Sequence, residues 1–264
     1  MRRSSATWLV IASFIAQNAL AADKPGADKS DDSPINAKFA YDWTSGKYGR
    51  ARDSTASIGS LTVTADFTDY SADVVVPYMR QTGPGRLILV PGRRPVVILG
   101  PDEKVTGLGD VTGGVTRYVL NQEDHHIDLD VGVIVKFATA SVQKGLGTGK
   151  YDYSIQSAIG REMAGFNATL TGGYTFVGKV EGQDYHNAFY GSLDLAYDVT
   201  KATSVGVTYS HGASIVPGSP ASRDAQLYVT FKPSKRTKIE VYYLKGWTTQ
   251  SPDRGAGISA AFDL

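Results

Sequence analysis

The stretch His126-Ile127-Asp128-Leu129-Asp130-Val131-Gly132-Val133-Ile134-Val135-Lys136-Phe137 decides the fold. Ile127, Leu129, Val131, Val133, Val135 and Phe137 are all apolar, and His126, Asp128, Asp130, Gly132, Ile134 and Lys136 stand between them. A strand sends successive side chains to opposite faces, so this period of two makes one apolar face and one mostly polar face. After residue 36 no stretch shows a convincing helical period.

The alternation continues in both directions. Toward the C-terminus, Phe166, Ala168, Leu170, Gly172, Tyr174 and Phe176 share a face, opposed by Asn167, Thr169, Thr171 and Thr175. Phe189 to Tyr197, Val205 to Tyr209, Ala225 to Phe231, Ile239 to Tyr243 and Ile258 to Leu264 repeat it. Toward the N-terminus, Leu61, Val63, Ala65 and Phe67 alternate. The parity flips at Thr68-Asp69, and Tyr70, Ala72, Val74, Val76 and Tyr78 continue, which marks a tight hairpin turn. Residues 111–120 are harder, because Arg117 sits among valines; the phase taken turns Thr116, Tyr118 and Leu120 outward and Arg117 inward.

Twelve strands are predicted, over 37–44, 57–67, 70–80, 111–121, 126–138, 151–162, 165–177, 185–198, 203–211, 223–232, 237–247 and 255–264. Short connections alternate with long ones, the longest being 81–110. This asymmetry predicts an all-β fold: a transmembrane up-and-down antiparallel β-barrel with short periplasmic turns and longer external loops. A secreted sandwich or lipocalin-like barrel would alternate too. Strands of about 10 residues, against the usual ~5–6 of soluble sheets, argue against it. So do two aromatic belts. Phe67, Tyr70, Tyr197, Phe231 and Phe262 fall at the short-turn ends, and Tyr78, Phe137, Tyr151, Tyr153, Tyr174, Phe176, Tyr209 and Trp247 at the long-loop ends.

Export fits this reading. Residues 1–21 combine Arg2 and Arg3, an apolar run from Trp8 to Ala16, and Ala19-Leu20-Ala21, the three parts of a cleaved signal peptide. The apolar run is too short to span a bilayer. Cleavage would remove two arginines and no acid, turning the net charge of +1 into −1. That weak charge argues against a nucleic-acid partner. Residues 22–36 read as a polar, flexible tail, and the barrel is expected over 37–264. The chain has 264 residues and no cysteine, which removes disulfides, thiolate metal sites and cysteine nucleophiles together.

Several motifs carry residues at this point. Pro77-Tyr78 closes the third strand, Gly107-Leu108-Gly109-Asp110 opens the fourth, and Gly145-Leu146-Gly147-Thr148-Gly149 with Asp152-Tyr153 leads into the sixth. Tyr174-Thr175-Phe176-Val177-Gly178 ends the seventh, and Ser251-Pro252-Asp253 precedes the last. Over most of residues 40–264, this ordered set resembles the outer-membrane barrel family named for the meta-pathway of phenol degradation. The resemblance implies a transporter barrel. Two departures stand out: Ala138-Thr139-Ala140 replaces a common Pro-Thr-Gly, and the chain ends in Leu264 rather than phenylalanine. Phe262-Asp263-Leu264 still resembles the hydrophobic-x-hydrophobic ending read by the barrel assembly machinery.

Other motifs have plainer readings. Gly145-x-Gly147-x-Gly149-Lys150 departs from phosphate-loop spacing, with Lys144 where glycine is needed and Tyr151 where Ser or Thr is needed. Ser210-His211 lies where outer-membrane lipases place their chemistry, but no orienting acid or oxyanion hole is legible. The four histidines show no metal-ligand spacing. No catalytic residue, metal or cofactor is expected.

The inward face is expected to hold Asp128, Asp130, Lys136, Asp152, Tyr190, Asp194, Tyr228, Lys238, Glu240 and Tyr242. These would line a pore, or form a packed polar interior. Residues 86–104 are apolar, Pro-rich and basic. They either fold inward as a constriction, with Arg86, Arg93, Arg94 and Lys104 facing the pore, or extend the third and fourth strands above the membrane. The expected protein is an outer-membrane channel passing small solutes, such as aromatic or hydrophobic compounds, by passive diffusion. Its expected partners are outer-membrane lipid, the assembly machinery and that solute. A structural or surface-binding barrel with a blocked lumen is the alternative, and a lipid-modifying enzyme a third.

Overall fold

The computed structural model describes residues 34–264 except Pro101. The expected signal peptide and residues 22–33 of the expected tail lie outside the described residues. In chain order the elements are β1 (Ile35–Gly46), β2 (Ser54–Asp66), β3 (Tyr70–Thr82), β4 (Gly85–Ile88), β5 (Val96–Leu99), β6 (Val105–Leu108) and β7 (Thr112–Leu120). A single helical turn, α1 (Gln122–His125), is followed by β8 (Asp128–Lys136), β9 (Asp152–Met163), β10 (Phe166–Phe176) and β11 (Ala188–Thr200). The chain ends with β12 (Thr203–Gly212), β13 (Ser222–Ser234), β14 (Thr237–Gly246) and β15 (Arg254–Asp263). β1 starts two residues inside the stretch expected to be tail.

Each wall strand pairs antiparallel with its sequence neighbour, and β1 pairs with β15 from Asn36↔Asp263 to Ser45↔Arg254. β2 pairs with both β1 and β3, so the sheet closes on itself. β6 and β7 together fill one wall position: β3 pairs with β6 at Tyr78↔Leu108 and with β7 at Tyr70↔Arg117. The protein is thus a closed antiparallel barrel of twelve wall positions. Pro77 sits at the break between β6 and β7, where its missing N–H costs no ladder bond, and its carbonyl accepts the Gly109 N–H at 2.9 Å.

All short turns lie at one end. Between β9 and β10 only Ala164 and Gly165 remain, with φ of 54° and 82°. A two-residue hairpin whose twist matches its strands needs positive φ at both positions, which glycine supplies freely and alanine under strain. The turn expected at 122–125 is α1, capped by the Asn121 side chain, which accepts the Asp124 N–H at 2.9 Å.

The outer surface is apolar through its middle. Val133, Ile155, Leu170, Leu227 and Ile258 are all exposed. So large an apolar surface is costly in water and favourable in lipid. Aromatic rings flank it at both ends: Phe67 stacks on Tyr70 at 4.5 Å and Phe166 meets Tyr197 at 5.1 Å at the short-turn end. Tyr174 meets Phe189 at 4.5 Å, and Phe137 meets Tyr151 at 6.1 Å, at the other end. These are the two interfacial belts of a membrane barrel.

One expected phase is wrong. On β7, Val115, Arg117 and Val119 face outward, while Thr116 is fully buried and Tyr118 turns inward. Directly paired residues share a face, and Arg117 pairs with the outward Tyr70. Arg117 tolerates this face because it lies at the short-turn end, where it meets Asp69 at 3.6 Å in an exposed ion pair. Tyr118 instead donates to Asp66 at 2.9 Å inside the barrel.

Val133 faces outward near the middle of β8, between Val115 and Ile155 of its neighbours. Replacing it with arginine is expected to cost about 2–4 kcal/mol in refolding into bilayers, the midplane cost of a cation. Asp128→Asn, on the inner face, is expected to cost well under half as much. Denaturant titration of lipid-refolded protein reads both, and equal costs would contradict the assignment of faces.

Candidate functional site: a hairpin across the lumen

The longest connection does not stand above the membrane. β4 and β5 pair as a hairpin, Gly85↔Leu99 to Ile88↔Val96, and this hairpin lies inside the barrel. Arg86, Leu87, Ile88, Leu89, Val90, Arg93, Arg94, Val96 and Val97 are all buried. The sequence explains why: exposed valines, leucines and isoleucines in water would cost about 25 cal/mol per Å² of apolar area. The lumen shelters them in three groups. Leu89 joins Ile58, Val75, Met79 and Leu146; Leu87 and Val97 join Tyr48 and Ala56. Ile88, Val90 and Val96 join Ala188 and Ile215 on the far side.

Polar clamps fix the hairpin's position. The Gln81 amide pairs with the Leu87 backbone in both directions, donating to its carbonyl and accepting its N–H, each at 2.7 Å. The Gly85 N–H reaches the Ser54 hydroxyl at 2.8 Å. At the tip, the Pro91 carbonyl accepts from Thr175 at 3.1 Å. Arg93 donates to the Ala213 carbonyl at 2.6 Å. Arg94 pairs with Asp224 through Nε and donates to Gln226 at 3.3 Å. The hairpin therefore crosses from β2–β3 to β10–β13. Burial pulls the Arg93 guanidinium down to about 10, still cationic at neutral pH, and lowers that of Arg86 as well. Arg86 donates to the Gly83 carbonyl at 2.9 Å.

Of the expected cations, Arg86, Arg93 and Arg94 lie in the lumen, but Lys104 does not. It is exposed in the run between β5 and β6. The hairpin closes at Leu99, so the chain has left the lumen by then.

The inward wall residues fall into two sets. At the long-loop end, Lys136 lies 2.7 Å from Asp152 and 3.3 Å from Asp110, all three fully buried. Asp110 also accepts the Ala140 N–H at 2.9 Å, and Asp152 the Gly178 N–H at 2.8 Å. This triad ties three external connections together and is packed away from solvent, so Lys136 and Asp152 are loop anchors rather than open lining. Within Ala138-Thr139-Ala140, Thr139 accepts the Val111 N–H at 2.8 Å and belongs to the same junction.

Below the hairpin the wall is hydroxyl- and carboxylate-rich. Tyr228 donates to Asp194 at 2.9 Å, and Thr208 to the same carboxylate at 2.6 Å. Tyr242 donates to Asp42 at 2.5 Å, and Thr230 to Glu240 at 3.2 Å. Higher up, beside Gly92 of the hairpin tip, Tyr190 bonds Ser154 and Gln156, each at 2.8 Å. Asp130 is buried on the inner face of β8, Asp128 accepts the Gln122 N–H at 2.9 Å, and Lys238 is half-buried on β14.

Three of these tyrosines share a construction. Tyr190 lies across from Gly173, Tyr228 from Gly206 and Tyr242 from Gly257, each pair in direct register. A Cβ on Gly206 would stand 2.2 Å from the Tyr228 ring, so each ring lies flat over a glycine and along the wall. This leaves the barrel axis to the hairpin. The sequence does hold inward-parity glycines, but their partners emerge only once register is known. Asp42, Asp110, Asp224 and Gln226 were likewise missed as site residues, for each acquires its role from a distant partner. Ser210 is buried inward while its neighbour His211 is exposed, so the two do not form a serine–histidine pair.

A family model described as "Putative MetA-pathway of phenol degradation" matches residues 22–264. The chain belongs to that family. The chain is also similar to solved barrels. An outer membrane channel from Pseudomonas putida F1 is similar at TM-score 0.68 and 10% identity, over 91% of this chain and 99% of that one. The translocator domain of autotransporter NalP from Neisseria meningitidis matches at TM-score 0.53 and 9% identity, over 89% and 90%. A KdgM porin in complex with disordered oligogalacturonate matches at TM-score 0.52 and 7% identity, over 87% and 99%. Curated protein sequences gave no match.

Lys136→Met would strand two buried carboxylates. It is expected to cost about 3–5 kcal/mol and to open residues 138–151 to protease, measured by denaturant titration and limited proteolysis. Gly206→Ala is expected to cost about 1–3 kcal/mol by driving Tyr228 off the wall. Gly172→Ala, which meets no atom within 4 Å, should be neutral or stabilising in the same titration.

Proposed function

We propose that this protein is an outer-membrane channel through which small solutes diffuse passively, with the β4–β5 hairpin as its constriction. The hairpin carries the reading: a basic, apolar segment crosses the lumen and is fastened at its tip by Arg94 on Asp224. Family membership and a fold shared with outer-membrane channels support it. Aromatic or otherwise hydrophobic compounds fit a path flanked by Tyr190, Tyr228 and Tyr242. In this reading Arg86, Arg93 and Arg94 act at the constriction, and Asp128, Asp130, Asp194, Lys238 and Glu240 below it. The lipid-facing exterior supports residence in the outer membrane. Delivery there would use residues 1–21 as the signal and Phe262-Asp263-Leu264 as the assembly machinery's handle.

A second reading has an observation of its own. The hairpin is buried on all sides and clamped at both ends, as a permanent plug would be. Planar-bilayer recordings separate the two. A native barrel that conducts, with higher conductance after deletion of residues 86–98, fits a constriction. Reversing charge in Arg93→Glu/Arg94→Glu is then expected to shift preference from anions toward cations. A silent native barrel that conducts only after the deletion would mean a plug. Unchanged conductance and selectivity in both variants would remove the hairpin from the path.

A further inference from the structure

A crevice lies between the hairpin tip and the wall strands β11–β13, lined by Arg93, Arg94, Tyr190, Ser210, Ser222 and Asp224. We propose that it is a subsite for the carboxylate of a small organic solute, with Arg93 as the anchor; this deepens the channel reading and rests on it.

The charges motivate the assignment. Arg94 is committed to Asp224 and Gln226. Arg93 is only 4% exposed and has no ion-pair partner among the described residues. The crevice thus holds two guanidinium groups against one carboxylate. Burying a cation without its counter-charge is expensive, and proteins that keep such a group supply the missing charge from elsewhere. Among the described residues the wall provides none, and the carboxylate of a solute would supply it.

The geometry selects the anion. Arg93 Nη1 is spent on the Ala213 carbonyl. Its Nε is buried with no hydrogen-bond partner. Nε and Nη2 form the other edge of the planar group, two parallel donors at the spacing of a carboxylate's oxygens. Gly212 makes room for that edge: a Cβ there would lie 2.3 Å from Arg93 Nη2, so any larger residue would push the guanidinium off the wall. Asp224 sets the limit on charge. A phosphate would bring up to two negative charges beside this buried carboxylate, and a monoanion only one. The Tyr190 ring, packed between Gly92 of the tip and Gly173 of the wall, closes that side of the crevice.

The test uses the full-length barrel refolded in detergent, with benzoate as the probe and benzamide and inorganic phosphate as comparisons, read by titration calorimetry. Benzoate is expected to bind at one site, with benzamide and phosphate at least about tenfold weaker. Arg93→Gln should weaken benzoate at least about tenfold, the loss of a charge-assisted pair. Arg93→Lys, which keeps the charge and loses the fork, should fall between, and guards against a fold defect in the first variant. The proposal is overturned if benzoate does not bind the native barrel, if Arg93→Gln binds it equally well, or if phosphate binds as tightly. Bilayer recordings on the same samples keep the two ideas apart. Arg93-dependent benzoate binding by a barrel that never conducts would sustain the subsite and sink the channel.

Discussion

A chain that crosses lipid on strands must leave no peptide group unpaired, because the hydrocarbon offers no water to take its place. The pairing of β1 with β15 meets that demand, since it removes the only two free edges of the sheet. Much else follows from it. Closure turns the alternation of side chains into an inside and an outside, and the outside must be apolar between two aromatic belts. It also forces every connection to one end or the other. The short turns, such as Ala164-Gly165, do nothing but reverse the chain, and the long ones are free to carry function.

Closure also creates an interior that has to be filled. In this barrel the filling is divided between the wall and the β4–β5 hairpin. The wall keeps its bulk low by laying Tyr190, Tyr228 and Tyr242 over glycines of the adjacent strands. Their hydroxyls satisfy carboxylates or amides that would otherwise be costly inside. The hairpin fills the space this leaves near the long-loop end. Apolar residues anchor it near β2 and β3, and arginines fasten its tip at β12 and β13.

Two kinds of charge pairing emerge from the same inward parity. Lys136 with Asp110 and Asp152 is structural: it joins external connections and admits no solvent. Arg93 is different, since its charge lacks a partner in the described protein and it borders a crevice. Parity alone cannot tell them apart, because both are simply polar residues on the lumen side. Their depth and their partners separate them.

The wall was legible in the sequence because its causes are local. A period of two, a polarity difference between faces and the spacing of turns are all properties of neighbouring residues, and they yielded twelve strands, their order and nearly all of their faces. The exception, β7, shows the limit: Arg117 lies outward because its paired partner Tyr70 does, and near the interface a cation can reach water. The interior was only half legible. Residues 86–104 were open to two placements by composition, since apolar and basic character alone says that the segment needs shelter and not where. Lys104 escaped the lumen because the hairpin had already closed, and Asp42, Asp110 and Asp224 took their roles from partners 30 to 200 residues away. The sequence by itself determined the barrel, because lipid imposes one rule on every strand. Only the tertiary structure decided what crosses the lumen, because that depends on pairings between residues far apart in the chain.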